Sequence, residues 1–301
     1  MPTWDCILNE IKAEPSNFDK IRRTYIGRLS QYTKRNTIVY YSAWLQKTNL
    51  LNSGFRFDIT DSDKMGFMST IKGLDKSKGL DLILHTPGGS IAATESIVLY
   101  LQSIFGKDIR AIVPQIAMSA GTMIALSTKE IVLGKHSNLG PIDPQIDNLP
   151  THGIIEEFES AKEDLKKEPS VFPVWEAILS HYHPTLIGEC KKAIIWSEKM
   201  VREWLLDNMF FNDEDKEAKV EKIINELGSH ALTLSHSRHL HRDYLKSLDL
   251  KILELESDEE LQDLVLSIHH SCIISLTGTP AYKIIENQNG KAFIQIINQV
   301  K

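Results

Sequence analysis

An α/β fold on a mainly parallel sheet is the architecture that this 301-residue sequence predicts. Three observations lead to it. Short apolar runs rich in β-branched residues occur at 37–41, 80–85, 110–113 and 130–133, as in strands buried on both faces. Segments of helical periodicity separate them at 61–73, 90–105 and 120–126. Each strand, turn and helix together make one crossover unit of the usual right-handed kind.

The elements on either side follow in order. Residues 1–36 read as an N-terminal helical segment. Within it, 18–35 carries Lys20, Arg22, Arg23, Arg28, Lys34 and Arg35 against the single acid Asp19, which suits either an acidic partner or a solvated helix face. The solvated face is the expectation, because Gly and Tyr interrupt any clean amphipathic surface. The main domain is expected at 37–290, with a helical insertion at about 154–227 and a C-terminal tail at 291–301. In the insertion, 154–167 shows a stripe of Ile154, Ile155, Phe158, Ala161 and Leu165, and 196–210 a second stripe. Trp196 and Trp204 are read there as core or subunit contact. Residues 212–226 read as an exposed charged helix, and 251–255 and 292–297 return to strand-like text. The acidic stretch 254–263 is read as a helix N-terminus with its charges favourably placed on the dipole.

Composition narrows the function. A 42% hydrophobic and 25% charged chain is an ordinary globular one, which excludes fibrous and disordered classes. The net charge of -6 argues against nucleic acid as a partner. Cys6, Cys190 and Cys272 lie far apart without CxxC spacing, so no disulfide framework or cysteine zinc site is expected, and a reducing, cytoplasmic setting is. The N-terminal text does not read as a secretory signal, and no run is apolar and long enough for an integral membrane segment. His230, His236, His239 and His241 cluster, but HEXXH is absent and neither Cys nor acid lies at ligand spacing. A structural role, or a place at an assembly interface near the active site, is expected of them instead of a metal.

The chemistry concentrates in residues 80–146. A strand ending at His85 runs into Thr86-Pro87-Gly88-Gly89 and a helix beginning near Ser90. Glycines there leave main-chain N–H groups facing outward at a helix N-terminus, an arrangement that binds phosphate or stabilises an oxyanion. The phosphate-loop spacing and a full GxGxxG are both missing. Ser119 stands where the next strand turns into a helix, an elbow that exposes its hydroxyl beside the Ala120 amide, although small residues in such text also serve close helix packing. Thirty residues separate Gly89 from Ser119, one crossover unit, so both should face one cleft at neighbouring strand ends.

HTPGGS at 85–90, AMSAGTMIALS at 117–127 and HSNLGPIDPQI at 136–146 together resemble the SDH-type (serine dehydrogenase proteinase) family of Clp-fold serine proteases, within the ClpP/crotonase superfamily. SHSRHLHRDYLKSLDL at 235–250 and TPAYKIIEN at 279–287 extend the likeness over about residues 37 to 290. The resemblance implies a spiral of β-β-α units with a helical extension. It also implies an ATP-independent, soluble serine peptidase without cofactors, acting on peptide or protein, and a homo-oligomer such as a trimer, tetramer or hexamer. No nucleotide motif of an unfolding motor is present, so any such motor would be a separate protein. Many members begin with a membrane-spanning helix, and none is expected here. By the same resemblance, Ser119 is the nucleophile, the Gly89 and Ala120 amides form the oxyanion hole, and Gly88 supports the turn.

A serine nucleophile needs a base. Clp peptidases carry a His in the loop after the next strand, but here that loop reads Leu139-Gly140-Pro141-Ile142-Asp143. Related signal-peptide peptidases use a Ser-Lys dyad with the lysine on a later helix. Lys162 is then the expected general base, with Phe158, Ala161 and Leu165 half-burying it and lowering its pKa. Paired with Glu159 or Glu163, it would be an ordinary surface lysine. His136 is the alternative base. A chain with no competent base would be a catalytically inactive scaffold or peptide-binding protein, and crotonase-like acyl-CoA chemistry uses a similar pair of amides.

Overall fold

The computed structural model describes residues 1–13, 18–51, 53–147, 149–228 and 235–297. A seven-stranded sheet forms the centre, in the order β10-β5-β3-β2-β1-β11-β12. Its strands are β1 (Asn36–Ser42), β2 (Leu80–His85), β3 (Ile109–Val113), β5 (Glu130–Leu133), β10 (Ile252–Glu254), β11 (Ala281–Asn287) and β12 (Ala292–Ile296). The five from β10 to β1 run parallel, and β11 and β12 are antiparallel additions. Crossovers pass through α3 (Asp61–Ile71), α4 (Ile91–Phe105) and α5 (Ala120–Leu126). This is the α/β, mainly parallel architecture expected.

The apolar runs form strands because both their faces are covered. Along β1, Ile38 and Tyr40 join one core, and Val39 and Tyr41 join the other. Leu82 and Leu84 against Ile83, and Ala111 and Val113 against Ile112, divide in the same way. On one face lie α3, α4 and α5. On the other lie α2 (Phe18–Thr33) and a 20-residue helix over Glu259–Gly278, which Asp258 caps by accepting the Leu261 N–H. The remaining α-helices among the described residues are α1 (Trp4–Ala13), α6 (Thr151–Lys167), α7 (Phe172–Leu179), α8 (Leu186–Trp204), α9 (Lys216–Gly228) and α10 (Arg242–Ser247), so Glu259–Gly278 is α11.

Two expectations change. The basic segment 18–35 is not only a solvated face, because Arg22 is fully buried and binds Glu286 of β11 and Ser275 of α11. Residues 281–287 form a strand that was not foreseen, since Lys283, Glu286 and Asn287 interrupt its apolar text; all three are buried and bonded, to Asp63, to Arg22 and Arg23, and to the Thr70 carbonyl. The strand-like text at 292–297 forms β12 at the sheet edge, as expected. No helix among the described residues is long and apolar enough to cross a membrane.

A second, three-stranded sheet positions the site. It joins β4 (Ile116–Ala117), β6 (Asn138–Leu139) and β9 (Leu240–His241), with β4 parallel and β9 antiparallel to β6; β7 (Gln145–Ile146) and β8 (Leu149–Pro150) pair separately as a short antiparallel ladder. A parallel bridge from Thr86 to Ala117 ties it to the end of β2.

Candidate active site

One row of paired residues, Thr86–Ala117–Leu139–Leu240, runs across the small sheet. Everything chemically notable leaves the same end of it. Gly88 and Gly89 follow Thr86, Ser119 follows Ala117 by two residues, and Asp143 follows Leu139 by four. Because β9 runs antiparallel, His236, four residues before Leu240, is carried to the same place as Asp143.

All five residues line one cleft of about 700 Å³, with Trp196 at its wall and the Arg56–Asp58 ion pair at its side. Burial disfavours the charge on Asp58, but the two bonds from Arg56 outweigh it and hold the carboxyl below its ordinary value.

Ser119 is half-buried and sits at φ 51°, ψ −117°, a left-handed conformation that costs a non-glycine residue about 1–3 kcal/mol. The bend lets β4 turn directly into α5, with Gly121 N–H donating to Met118 O at 2.7 Å. Ala120 is the first residue of α5, so its N–H has no carbonyl within its own helix.

The glycine turn meets this elbow closely. A Cβ on Gly88 (φ +100°) would stand 2.7 Å from the Ser119 Cβ and 3.1 Å from the Ala120 nitrogen. A Cβ on Gly89 would stand 2.2 Å from the Ile59 nitrogen. Ile59 N–H donates to Gly88 O at 2.7 Å, and Ser90 N–H donates to Ile59 O at 2.9 Å. That pairing turns the Gly89 N–H away from Ile59. Ser90 caps α4 by accepting the Ala93 N–H.

His236 Nδ1 lies 2.9 Å from Asp143 Oδ1. Asp143 is fully buried, and the His236 side chain is 20% exposed. A carboxylate only accepts hydrogen bonds, so the proton of this bond belongs on Nδ1, which leaves Nε2 as a proton acceptor. Hydroxyl, imidazole, carboxylate and outward amides in one cleft are the parts needed for acyl transfer.

The two bases expected from the sequence lie elsewhere. Lys162 is on α6 with its side chain 61% exposed and its Nζ 2.6 Å from Glu159 Oε1. The apolar flank meant to half-bury it instead turns Ala161 inward and leaves the ammonium in solvent. His136 is exposed and lines a neighbouring hollow beside Trp44 and Met118. Among the described residues lining the Ser119 cleft, none is a lysine. Asp143 and His236 were not assigned to this site from sequence, although both lie in text singled out there. Their usable signal is their offset of four residues from two short strands, visible only once those strands pair.

No group of three or more metal-ligating side chains occurs among the described residues. His230 lies outside them. Of the two tryptophans read as core or subunit contact, Trp204 is buried core and Trp196 is 40% exposed at the cleft, its Nε1 3.4 Å from Glu95.

A family model described as ClpP-like SDH-type serine proteinase matches residues 13–265. Two curated relatives come from Methanocaldococcus jannaschii, named Uncharacterized protein MJ1495 and Uncharacterized protein MJ0137. The first is 31% identical over 65% of this chain and the second 32% identical over 56%. The matches span 62% and 53% of the lengths of those relatives.

Proposed function

The chain belongs to the family of ClpP-like SDH-type serine proteinases, and from that premise we propose that it hydrolyses peptide bonds with Ser119, His236 and Asp143. Ser119 Oγ attacks the carbonyl carbon of the substrate while His236 Nε2 takes its proton. The same nitrogen returns that proton to the leaving amine, and water then releases the acyl group by the reverse sequence. Asp143 holds the imidazole in the required tautomer. The N–H groups of Gly89 and Ala120 receive the oxyanion, and Gly88 leaves room for it. The reaction consumes no nucleotide and no cofactor.

The observation supporting this most is the shared exit of Ser119, Asp143 and His236 from one end of the small sheet into one cleft, with the 2.9 Å bond between the last two. The proposal replaces Lys162 with His236 as base. Peptide or protein is the substrate class that the family implies.

A fluorophosphonate probe and a peptide library test it together. Ser119→Ala should lose both labelling and cleavage. His236→Ala should lower kcat/KM by about 10²–10⁴-fold. Lys162→Ala should stay within about twofold of the unaltered chain, as befits an exposed surface pair. Cleavage that survives Ser119→Ala at full rate refutes the peptidase reading. Loss with Lys162→Ala and not with His236→Ala restores the dyad.

Self-association belongs to the same proposal. Helix α7 has no buried residue, and Phe172 and Val174 are 53% and 61% exposed, as expected of a surface covered by another copy. Sedimentation of the full chain distinguishes a trimer, tetramer or hexamer from a monomer.

A further inference from the structure

We propose that Lys283 is a positioning residue for the oxyanion amides, acting through Asp63 and the 58–60 backbone on the Gly88–Gly89 peptide. This rests on the reading of Gly89 as an oxyanion donor.

Lys283 on β11 and Asp63 on α3 are both fully buried. Lys283 Nζ donates to Asp58 O at 2.8 Å and to the two Asp63 carboxylate oxygens at 2.9 and 3.0 Å. Asp63 Oδ2 also accepts the Thr60 N–H at 2.9 Å and the Tyr40 hydroxyl at 2.9 Å. The pair therefore grips the backbone on both sides of Ile59, by the Asp58 carbonyl and by the Thr60 amide.

Ile59 is the residue that holds the glycine turn. Its N–H binds Gly88 O at 2.7 Å. Gly88 C=O and Gly89 N–H belong to one planar trans peptide, so they point in opposite directions. Pinning the carbonyl to Ile59 aims the amide into the cleft. The path from Lys283 to Gly89 consists of hydrogen bonds of 3.0 Å or less joined by rigid peptide planes.

Fold stability alone is a poor reason for this ammonium, because an apolar pair of similar volume serves a buried contact as well or better. The charged pair adds directional bonds to main-chain atoms of 58–60, which no apolar pair supplies.

Lys283→Met alone strands the Asp63 charge and invites misfolding, so the test uses Lys283→Met with Asp63→Asn. That double variant is neutral at the site, and Asn at 63 retains an acceptor for Tyr40 and Thr60. Three quantities are measured on the folded full chain, per site titrated with a fluorophosphonate: kcat, KM, and the Kd of a peptide boronate, whose tetrahedral adduct places an oxygen at the amides. The expected result is a fall in kcat of about tenfold or more, with KM within about twofold and boronate binding weakened by the same factor as kcat/KM. A merely structural role lowers the number of titratable sites and leaves the per-site constants alone; kcat and boronate Kd within about twofold of the unaltered chain overturn the proposal. Failure of the underlying reading looks different, because the unaltered chain would then bind the boronate no more tightly than the matching peptide without boron.

Discussion

Gly88→Ala adds one methyl group at the closest approach between the glycine turn and the serine elbow. The new Cβ would lie 2.7 Å from Met118 O, 2.7 Å from the Ser119 Cβ and 3.1 Å from the Ala120 nitrogen. Carbon atoms rest about 3.5–4.0 Å apart, so the elbow has to retreat by about 1 Å. Alanine at φ +100° adds backbone strain of about 1–3 kcal/mol, and overpacking adds a similar amount. A stability loss of roughly 2–6 kcal/mol follows. A misplacement of about 1 Å at a reacting centre costs about 10² in rate, or about 2.7 kcal/mol of barrier. Gly106→Ala is the control. Gly106 also has positive φ, at +59°, but a Cβ there meets nothing within 4 Å, and it ends α4 at the helix terminus opposite the cleft. It should cost about 1–2 kcal/mol and leave turnover alone. Urea denaturation gives the stabilities, and peptide cleavage per fluorophosphonate-titrated site gives the rates. If folded Gly88→Ala turns over within about twofold of the unaltered chain, the turn does not border the reacting atoms and the site is misassigned.

Two further outcomes concern the scaffold. Burial among Tyr41, Trp44 and His269 pulls His85 down to about 3, and neither of its ring nitrogens has a hydrogen-bond partner. The unfolded chain therefore takes up a proton that the native state refuses, so stability is complete above about pH 6.5 and falls with pH from there towards 3, by up to about 1.4 kcal/mol per unit. His85→Phe should flatten this slope in urea midpoints taken at pH 7.5 and 5, and an unchanged slope would count against it. Asp81 is fully buried between Arg35 and Arg110, at 2.7 and 2.8 Å. Asp81→Leu leaves both guanidinium groups without that acceptor and should destabilise by about 3 kcal/mol, with peptide cleavage unaffected well below the melting temperature. Equal melting temperatures would show that the two arginines find other partners.

Histidine placement shows where sequence reading stopped. The chain order of Clp peptidases points to His136, and a Ser-Lys dyad points to Lys162 on the next helix. Neither expectation could register that Leu139 pairs with Leu240 across about a hundred residues. Strands of two residues have no periodicity to detect. β11 escaped for a related reason. Its Lys283 and Glu286 read as solvent-facing until Asp63, Arg22 and Arg23 are seen to meet them.

Local text was sufficient for the repeating strand–helix units, for α5 at 120–126, and for a glycine turn and a serine elbow one crossover apart. Those features depend on side-chain period, turn residues and chain spacing, which neighbours along the chain dictate. Which imidazole stands in the Ser119 cleft, which lysine is buried, and why Asp143 lies beneath His236 were decided by the pairing of distant segments. That pairing is a competition among registers settled by burial of the whole core, and no window of sequence contains its energy.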